Sequence, residues 1–231
     1  MRVGLGLAAL LFLLPVFTVT AVRGQRASEQ PEEPIQLLPP GEVDSARTLR
    51  VLDGDTVTEM TFSDYLQGVL RAEMPASFAQ DALCAQAVAA RTYTYYKMQN
   101  GGNHGDTADI CTDHTCCQAF LGKDRAADNW GKNAERYEAK IENAVSATDG
   151  QVMLYGGTPI LAVFHSSSAG ETWNSGQVWA QDLPYLQSVS SPEGEGVPNY
   201  YSTVELTEAE FREKFLAARP EADLSGPASE W

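Results

Sequence analysis

The sequence predicts an α+β fold in which a helical pair and a loop-borne metal site pack on a small antiparallel sheet. One observation is the alternating stretch Leu49 to Met60, which surrounds the turn signal Asp53-Gly54-Asp55 and is typical of a short hairpin. Two helix-forming segments follow within residues 63–98. A second hairpin is predicted where apolar strands surround Gly156-Gly157. Hairpins and helices in separate runs are typical of the α+β class.

Length and charge limit the possible functions. A chain of 231 residues is long enough for one sizeable core. The formal net charge of -15 argues against nucleic acid as a partner, because no basic run exists to displace counterions from phosphates. We interpret the acidic surface mainly as a source of solubility.

The N-terminal residues predict an export or anchoring segment. Val3 to Val22 is an apolar run between Arg2 and Arg23, and about 20 apolar residues just span a bilayer as a helix. A cleaved signal peptide is the alternative. We therefore expect residues 1–24 to be a membrane anchor or signal segment, in a single-pass protein of the cell membrane. Residues 25–48 are acidic and proline-rich, which predicts a linker, and 49–231 are expected to form one extracytoplasmic domain.

A lone acid lies between the two predicted helices. The first helix is expected from the N-cap Ser63 to about Ala72, and Pro75 favours an extended residue before it, so Glu73 lies at the break. The second helix is expected over Phe78 to Met98, after a capping-box pattern. Apolar neighbours could desolvate the Glu73 carboxyl and favour its protonated form, as a general acid requires.

The second helix is rich in alanine and carries one arginine, Arg91. It could form a structural ion pair buried among the alanines, or act as a fixed cation near the substrate. A direct pair with Glu73 would favour the ionised carboxylate and work against an acid role. We therefore expect Arg91 to contact the substrate or to serve as scaffold.

A loop after this helix concentrates soft metal ligands. His104, Cys111, Cys116 and Cys117 offer a mixed set of the kind that zinc binds tetrahedrally, and His114 could replace either Cys116 or Cys117. The alternative is a disulfide from Cys111 to Cys116 or Cys117, in an oxidising compartment. The spacing alone does not decide between metal and disulfide.

A polar turn follows the second hairpin. His165-Ser166-Ser167 could suggest a serine hydrolase, but the chain has no GxSxG elbow. Adjacent His and Ser residues also do not form a nucleophile–base pair by adjacency. We expect this turn to bind substrate, by hydrogen bonds to a sugar or to its N-acetyl groups.

Taken together, these segments resemble the SpoIID/LytB family in its own order along the chain. The resemblance rests on DYLQGVLRAEMPASF, ALCAQAVAARTY, CTDHTCCQAF, FHSSSAGETWNSGQVW and PYLQSV. It implies a lytic transglycosylase that cleaves peptidoglycan glycan strands during engulfment of the forespore. The acid of the family's EMP motif falls on Glu73, which the resemblance makes the catalytic residue.

The resemblance also implies a zinc ion, partners and two alternatives. The family's His/Cys site maps onto His104, Cys111 and Cys117, with Cys116 where relatives often have His, and a closed site of this kind would be structural. The implied partners are peptide-stripped glycan strands and the stage II sporulation proteins P and M. Relatives continue beyond the position of Trp231, so a C-terminal truncation is expected. The alternatives are a non-catalytic wall-binding amidase enhancer of LytB type and an inactive truncated copy.

Overall fold

The computed structural model describes residues 35–100, 104–192 and 202–231 of the chain. They mix helices with small sheets, which confirms the predicted α+β class. The chain divides into two compact units, one ending at Val163 and the other running from Phe164 to Trp231. The sequence predicted one domain over 49–231, and the division at Val163 has no counterpart in that prediction.

The first unit contains a three-stranded sheet built on the predicted hairpin. Strands β1 (Thr48–Asp53) and β2 (Thr56–Thr61) pair antiparallel from Thr48 opposite Thr61 to Asp53 opposite Thr56. Gly54 turns between them with φ of 57°, a conformation that L side chains rarely adopt. The short β3 (Ile110–Cys111) adds parallel to β1, so the sheet is mixed and brings the Cys/His loop against the hairpin.

Helices of the first unit pack on this sheet. The helices of the predicted pair are α2 (Phe62–Glu73) and α3 (Gln80–Gln99), after a short α1 (Glu42–Ser45). Thr61 caps α2 by accepting a hydrogen bond from the Asp64 amide, two residues before the expected cap Ser63. The described chain continues with α4 (Lys123–Trp130), a 3₁₀ turn (Gly131–Asn133) and α5 (Ala134–Ala147).

The core lies where α2 meets the sheet and the other helices. Its largest apolar side chains have no exposed surface, and they include Leu49, Val51, Phe62, Tyr65, Leu66, Val69, Leu70, Leu83, Ile110 and Ile141. Burying one such side chain contributes about 1.5–3 kcal/mol. Because α2 supplies half of this set, the helix that ends at Glu73 is firmly held.

Some residues of the predicted linker bind α5 and the residue Asp149 that follows it. The Asn143 side chain accepts a hydrogen bond from the Leu38 amide and donates one to the Gln36 carbonyl, both at 2.8 Å. Asp149, just after α5, accepts the amides of Val43 and Asp44 at the start of α1 at 2.9 Å. Although burial opposes it, these amides hold the pKa of Asp149 below its usual value.

A second hairpin closes the first unit. Strands β4 (Leu154–Tyr155) and β5 (Thr158–Pro159) pair antiparallel around Gly156 and Gly157, whose φ values are 58° and 83°. Positive φ at both turn residues is typical of the tight turn that the Gly-Gly pair predicts. This hairpin is confirmed.

The second unit contains short elements. Strands β6 (Gly170–Glu171) and β7 (Ser190–Ser191) pair antiparallel, and α6 (Ser175–Val178) lies between them in the chain. Helix α7 (Glu208–Ala218) and a 3₁₀ turn (Ala228–Glu230) follow.

The predicted placement as a single-pass membrane protein requires correction. Within residues 35–100, 104–192 and 202–231, every helix is too short or too polar to cross a bilayer. The apolar run Val3 to Val22, on which the prediction rested, lies outside the described residues.

Candidate functional site

Glu73 is the last residue of α2 and is half-buried. The next residue, Met74, leaves the helix in an extended conformation, with φ of -135° and ψ of 135°, and its amide donates to the Leu70 carbonyl at 3.2 Å. This break precedes Pro75, as the proline predicts. The Oε1 atom of Glu73 accepts a hydrogen bond of 2.9 Å from the backbone amide of Ala119.

The loop after Glu73 is tied to α5. Ala76 is buried, and the Lys140 ammonium donates to the Phe78 carbonyl. The Phe78 ring is 50% exposed, so it does not form the apolar enclosure that the sequence suggested. The loop is therefore held in part through its backbone, beside the half-buried Glu73.

A short segment, residues 117–121, contains the Ala119 donor to Glu73 and is bound to α2 and α3. The buried Gln118 donates from Nε2 to Thr94 Oγ1 on α3 at 3.0 Å. The Leu121 amide donates to the Gly68 carbonyl on α2 at 2.9 Å. The ring of Phe120 stacks on Tyr65 with 5.9 Å between centroids. We call these residues the 117–121 segment.

The Cys/His cluster lies at the N-terminal end of this segment. His104, Cys111, Cys116 and Cys117 each present one ligand atom, and these atoms lie within 4.8 Å of one another. Cys116 Sγ is 3.7 Å from Cys117 Sγ, and His104 Nε2 is 3.4 and 3.6 Å from these two sulfurs. Zinc bond lengths give tetrahedral edges of about 3.8 Å between sulfurs and about 3.6 Å between sulfur and nitrogen. The spacing therefore fits one tetrahedral metal ion.

Backbone hydrogen bonds form the cluster loop. Cys111 ends β3, and the next amide, of Thr112, donates to the Leu52 carbonyl at 3.0 Å. The Asp113 carbonyl accepts the amides of Cys116 and Cys117 at 3.1 and 2.7 Å, which turns both thiols back toward Cys111. A tight turn of this kind lets two adjacent cysteines face one point.

Arg50 secures the stretch of chain that follows His104. Its guanidinium binds Asp109 at 3.0 Å and the Asp106 carbonyl at 2.5 Å. The Thr107 amide donates to the His104 carbonyl at 3.0 Å, which starts the turn. These contacts hold the chain between His104 and β3 in a turn, which places the His104 ring beside the cysteines.

The electrostatics of the thiols favour a cation. Burial, and then the adjacent Cys111 thiol, raise the pKa of Cys117, and burial raises the pKa of Cys111. Thiols this close cannot ionise together unless a positive charge compensates them. The donor set therefore suits a thiophilic metal ion.

The structure brings together all four predicted ligands, and His114 lies outside the cluster. The His114 side chain is 77% exposed and lies 3.9 Å from Asp113, outside the cluster. All four cysteines belong to the described residues, and none of them forms the disulfide that the sequence left open.

Arg91 is not placed for substrate contact. Its side chain is 0% exposed, and Asp44 Oδ2 lies 2.9 Å from its Nε and 2.7 Å from its Nη2. It also donates to the carbonyls of Val145 and Gln151 at 3.3 and 3.2 Å. These contacts favour the scaffold role, because a ligand in solvent does not reach the guanidinium.

The predicted substrate turn belongs to the second unit. His165, Ser166 and Ser167 are exposed and follow the point at which the chain divides. Their role in substrate binding stays a prediction.

Sequence reasoning missed the hydrogen-bond donor to Glu73. The donor is a backbone amide of Ala119, 46 residues away, so no side-chain pattern marks it. The Cys116-Cys117-Gln118 sequence before it predicts metal ligands and gives no sign of a backbone donor.

Comparison with known proteins places the same residues in a family context. A family model described as "SpoIID: Stage II sporulation protein" matches residues 53–155, which include Glu73 and the whole cluster. The chain is 36% identical over 160 residues to "Stage II sporulation protein D" of Bacillus subtilis (strain 168), covering 69% of this chain and 47% of that protein. It is 34% identical over 160 residues to the protein of the same name from Bacillus amyloliquefaciens, covering 69% and 46%.

A further relative has a different name. The chain is 34% identical over 166 residues to the "Amidase enhancer" of Bacillus subtilis (strain 168), covering 72% of this chain and 19% of that protein. The chain thus spans about half the length of the sporulation proteins that it matches.

Proposed function

The chain belongs to the stage II sporulation protein D family, and we propose that it is a lytic transglycosylase acting on the cell wall in sporulation. Its substrate would be peptidoglycan glycan strands already stripped of stem peptides, cut between N-acetylmuramic acid and N-acetylglucosamine. The observation that carries the proposal is the placement of Glu73, a half-buried carboxyl at a helix end with one oxygen held by the Ala119 amide.

In the first step Glu73 acts as general acid. It gives its proton to the glycosidic oxygen, and the bond from C1 of N-acetylmuramic acid to that oxygen breaks. N-acetylglucosamine leaves with a new hydroxyl, and positive charge develops at C1. Proton transfer of this kind typically contributes a factor of about 10²–10⁴ in rate.

In the second step the same carboxylate acts as base. It takes the proton from the C6 hydroxyl of N-acetylmuramic acid, and the C6 oxygen bonds to C1 to close a 1,6-anhydro ring. Glu73 is then protonated again and ready for the next bond. The cycle consumes no water and needs a single carboxyl, whereas hydrolytic glycosidases generally need two at defined separation.

We propose zinc as the ion of the Cys/His cluster, with a structural role. His104, Cys111, Cys116 and Cys117 would hold it and so use all four tetrahedral positions. Such an ion would cross-link the loop. Because Cys117 is the first residue of the 117–121 segment, the ion would also restrict the motion of the segment whose Ala119 amide binds Glu73.

The proposed partners follow from the family. Stage II sporulation protein P would supply peptide-stripped strands, and stage II sporulation protein M would join the same assembly. Any contact of His165, Ser166 and Ser167 with the sugars belongs to this proposal as well.

The likeness to the amidase enhancer favours a second candidate function. A 34% identity over 166 residues is nearly as high as the identity to the sporulation proteins. In this case the chain would bind the wall and stimulate an amidase without cutting glycan itself. Such a role does not require a titratable group at Glu73.

Cleavage of peptide-free glycan strands by the full chain tests the proposal. Mass spectrometry of the products should find 1,6-anhydro-N-acetylmuramic acid ends, and Glu73→Gln should lower their rate of appearance by about 10²–10⁴. Glu59→Gln is the matched control, because Glu59 is exposed on β2. This variant should cleave glycan at the wild-type rate. Reducing ends would mean hydrolysis, and a folded but inactive wild type would favour the enhancer.

A further inference from the structure

We propose that the 117–121 segment is the positioning element of the acid, and that Oε2 of Glu73 carries the transferred proton because the Ala119 amide holds Oε1. This inference rests on the proposed function, since it assigns a part in that reaction to residues next to Glu73. It names Gln118 as a positioning residue that acts through the Ala119 backbone.

The first argument is that the segment is anchored on both sides of the amide. Before Ala119, the buried Gln118 binds Thr94 on α3 at 3.0 Å. After it, the Leu121 amide binds the Gly68 carbonyl on α2 at 2.9 Å. The donor therefore has a fixed position relative to the two helices that flank the Glu73 break.

The second argument concerns the two oxygens of the carboxyl. Oε1 accepts the Ala119 N–H at 2.9 Å, and an oxygen that accepts such a bond is a poorer site for the acid's own proton. The hydrogen bond also fixes rotation of the carboxyl group, so that Oε2 has a defined direction. In both steps of the proposed reaction the proton then leaves from and returns to Oε2.

The third argument links the cluster to the acid. Cys117 lies two residues before Ala119, and its amide is bound to the Asp113 carbonyl at 2.7 Å. A metal ion held by the cluster would fix the sulfur of Cys117 as well as its backbone. Metal removal should therefore loosen the Ala119 amide even where the helices stay folded.

The buried amide group of Gln118 makes a selective test possible. Gln118→Met keeps a similar length and removes the bond to Thr94, without touching a metal ligand or Glu73. Gln86→Met on α3 is the control, because Gln86 is also buried and its Nε2 donates no hydrogen bond within the described chain. Thr94→Val removes the same anchor from the helix side, should Gln118→Met fail to fold.

The structural readout is the Ala119 amide resonance in the zinc-loaded full chain labelled with ¹⁵N-alanine. A hydrogen bond to a carboxylate is stronger than one to a neutral group. Glu73→Gln therefore serves as the reference, because loss of the carboxylate charge should shift the Ala119 amide proton resonance upfield. We expect Gln118→Met, and removal of zinc by a chelator, to shift the resonance in the same direction. Gln86→Met should leave it in place.

The kinetic readout is cleavage of peptide-free glycan strands. Gln118→Met should lower kcat about ten- to a hundredfold with KM unchanged, because a misplaced acid affects chemistry and not binding. The products should still carry anhydro ends.

The outcomes separate the two proposals. If wild type forms no anhydro ends, the proposed function fails, and the Ala119 resonance alone decides whether the segment positions Glu73. If wild type cuts, but Gln118→Met and Thr94→Val leave both the resonance and kcat unchanged, the positioning inference is overturned.

Discussion

At the residue scale, the ion pair of Arg91 and Asp44 is buried and joins three helices of the first unit. The arginine joins α3 to α1 through Asp44 and to the end of α5 through the Val145 carbonyl and the Thr148 hydroxyl, the latter at 3.3 Å. Both charged side chains are essentially unexposed. A buried pair adds little over an apolar replacement of both partners, but removal of one partner leaves an uncompensated charge.

We expect Arg91→Met to lower the free energy of unfolding by about 3–5 kcal/mol, because Asp44 is left buried without its counter-charge. Urea denaturation of the full chain measures the effect. Arg125→Met is the control, as an exposed arginine of α4 whose loss should change stability by at most about 0.5 kcal/mol. Normal stability with impaired glycan cleavage would restore Arg91 as a substrate residue.

At the element scale, one glycine sets how closely the 117–121 segment approaches α2. A Cβ built on Gly68 would lie 2.0 Å from the ring of Phe120, which is stacked on Tyr65. Helical glycine normally costs stability relative to alanine. Here the close packing of Phe120 explains why the helix carries it.

Gly68→Ser should destabilise the unit by about 1–3 kcal/mol, since overpacking outweighs the few tenths gained in helix propensity. Gly122→Ser is the matched control, because a Cβ there meets nothing within 4 Å and serine is a good N-cap for α4. Thermal unfolding of the two variants should differ clearly. Equal stability would mean that Phe120 moves aside at no cost.

The cluster loop gives a second prediction at this scale. His104→Ala removes one of four donors and should weaken zinc binding at least tenfold, whereas His114→Ala should bind like wild type because His114 is exposed outside the cluster. Competition against a chromogenic chelator measures both affinities. Equal weakening by the two substitutions would contradict the ligand assignment.

At the scale of the whole molecule, an ion-pair network joins three helices of the first unit. Glu138 on α5 binds Arg71 on α2 at 3.0 and 2.5 Å, and Lys123 on α4 at 3.3 Å. Although burial opposes it, these cations hold the pKa of Glu138 below its usual value of 4.5. A carboxyl whose pKa is lower in the folded state stabilises the fold above its unfolded pKa, and this is lost as pH falls through the folded pKa.

Glu138→Gln should therefore lower the free energy of unfolding by about 1–3 kcal/mol at pH 7. The difference from wild type should shrink as pH falls below about 4.5, where Glu138 of the unfolded chain takes up a proton, and should vanish below the lower pKa of the folded protein. Urea denaturation at several pH values measures this, with Glu135→Gln as an exposed control on the same helix. A difference that is constant from pH 7 to pH 3 would contradict the role assigned to the charge.

Local patterns were enough for the elements whose causes are local. The Gly-Gly and Asp-Gly turns fixed both hairpins, and Pro75 placed the end of α2 beside Glu73, because dihedral preferences act over a few residues. The sequence missed α4, which is short and mostly exposed, so no strong apolar periodicity marks it. The hydrogen bonds from residues 36–44 to Asn143 and Asp149 join positions more than 100 residues apart, so no local pattern marks them.

By itself, the sequence determined the α+β class and the family, and it marked Glu73 and the Cys/His loop as candidates, since these depend on residue type and short spacing. Only the tertiary structure decided that His104 rather than His114 completes the cluster, that Arg91 is buried scaffold, and that Ala119 donates to Glu73. Each of these depends on contacts between residues 12 to 47 positions apart. Such contacts are set by packing of the helices and the sheet, which no local pattern encodes.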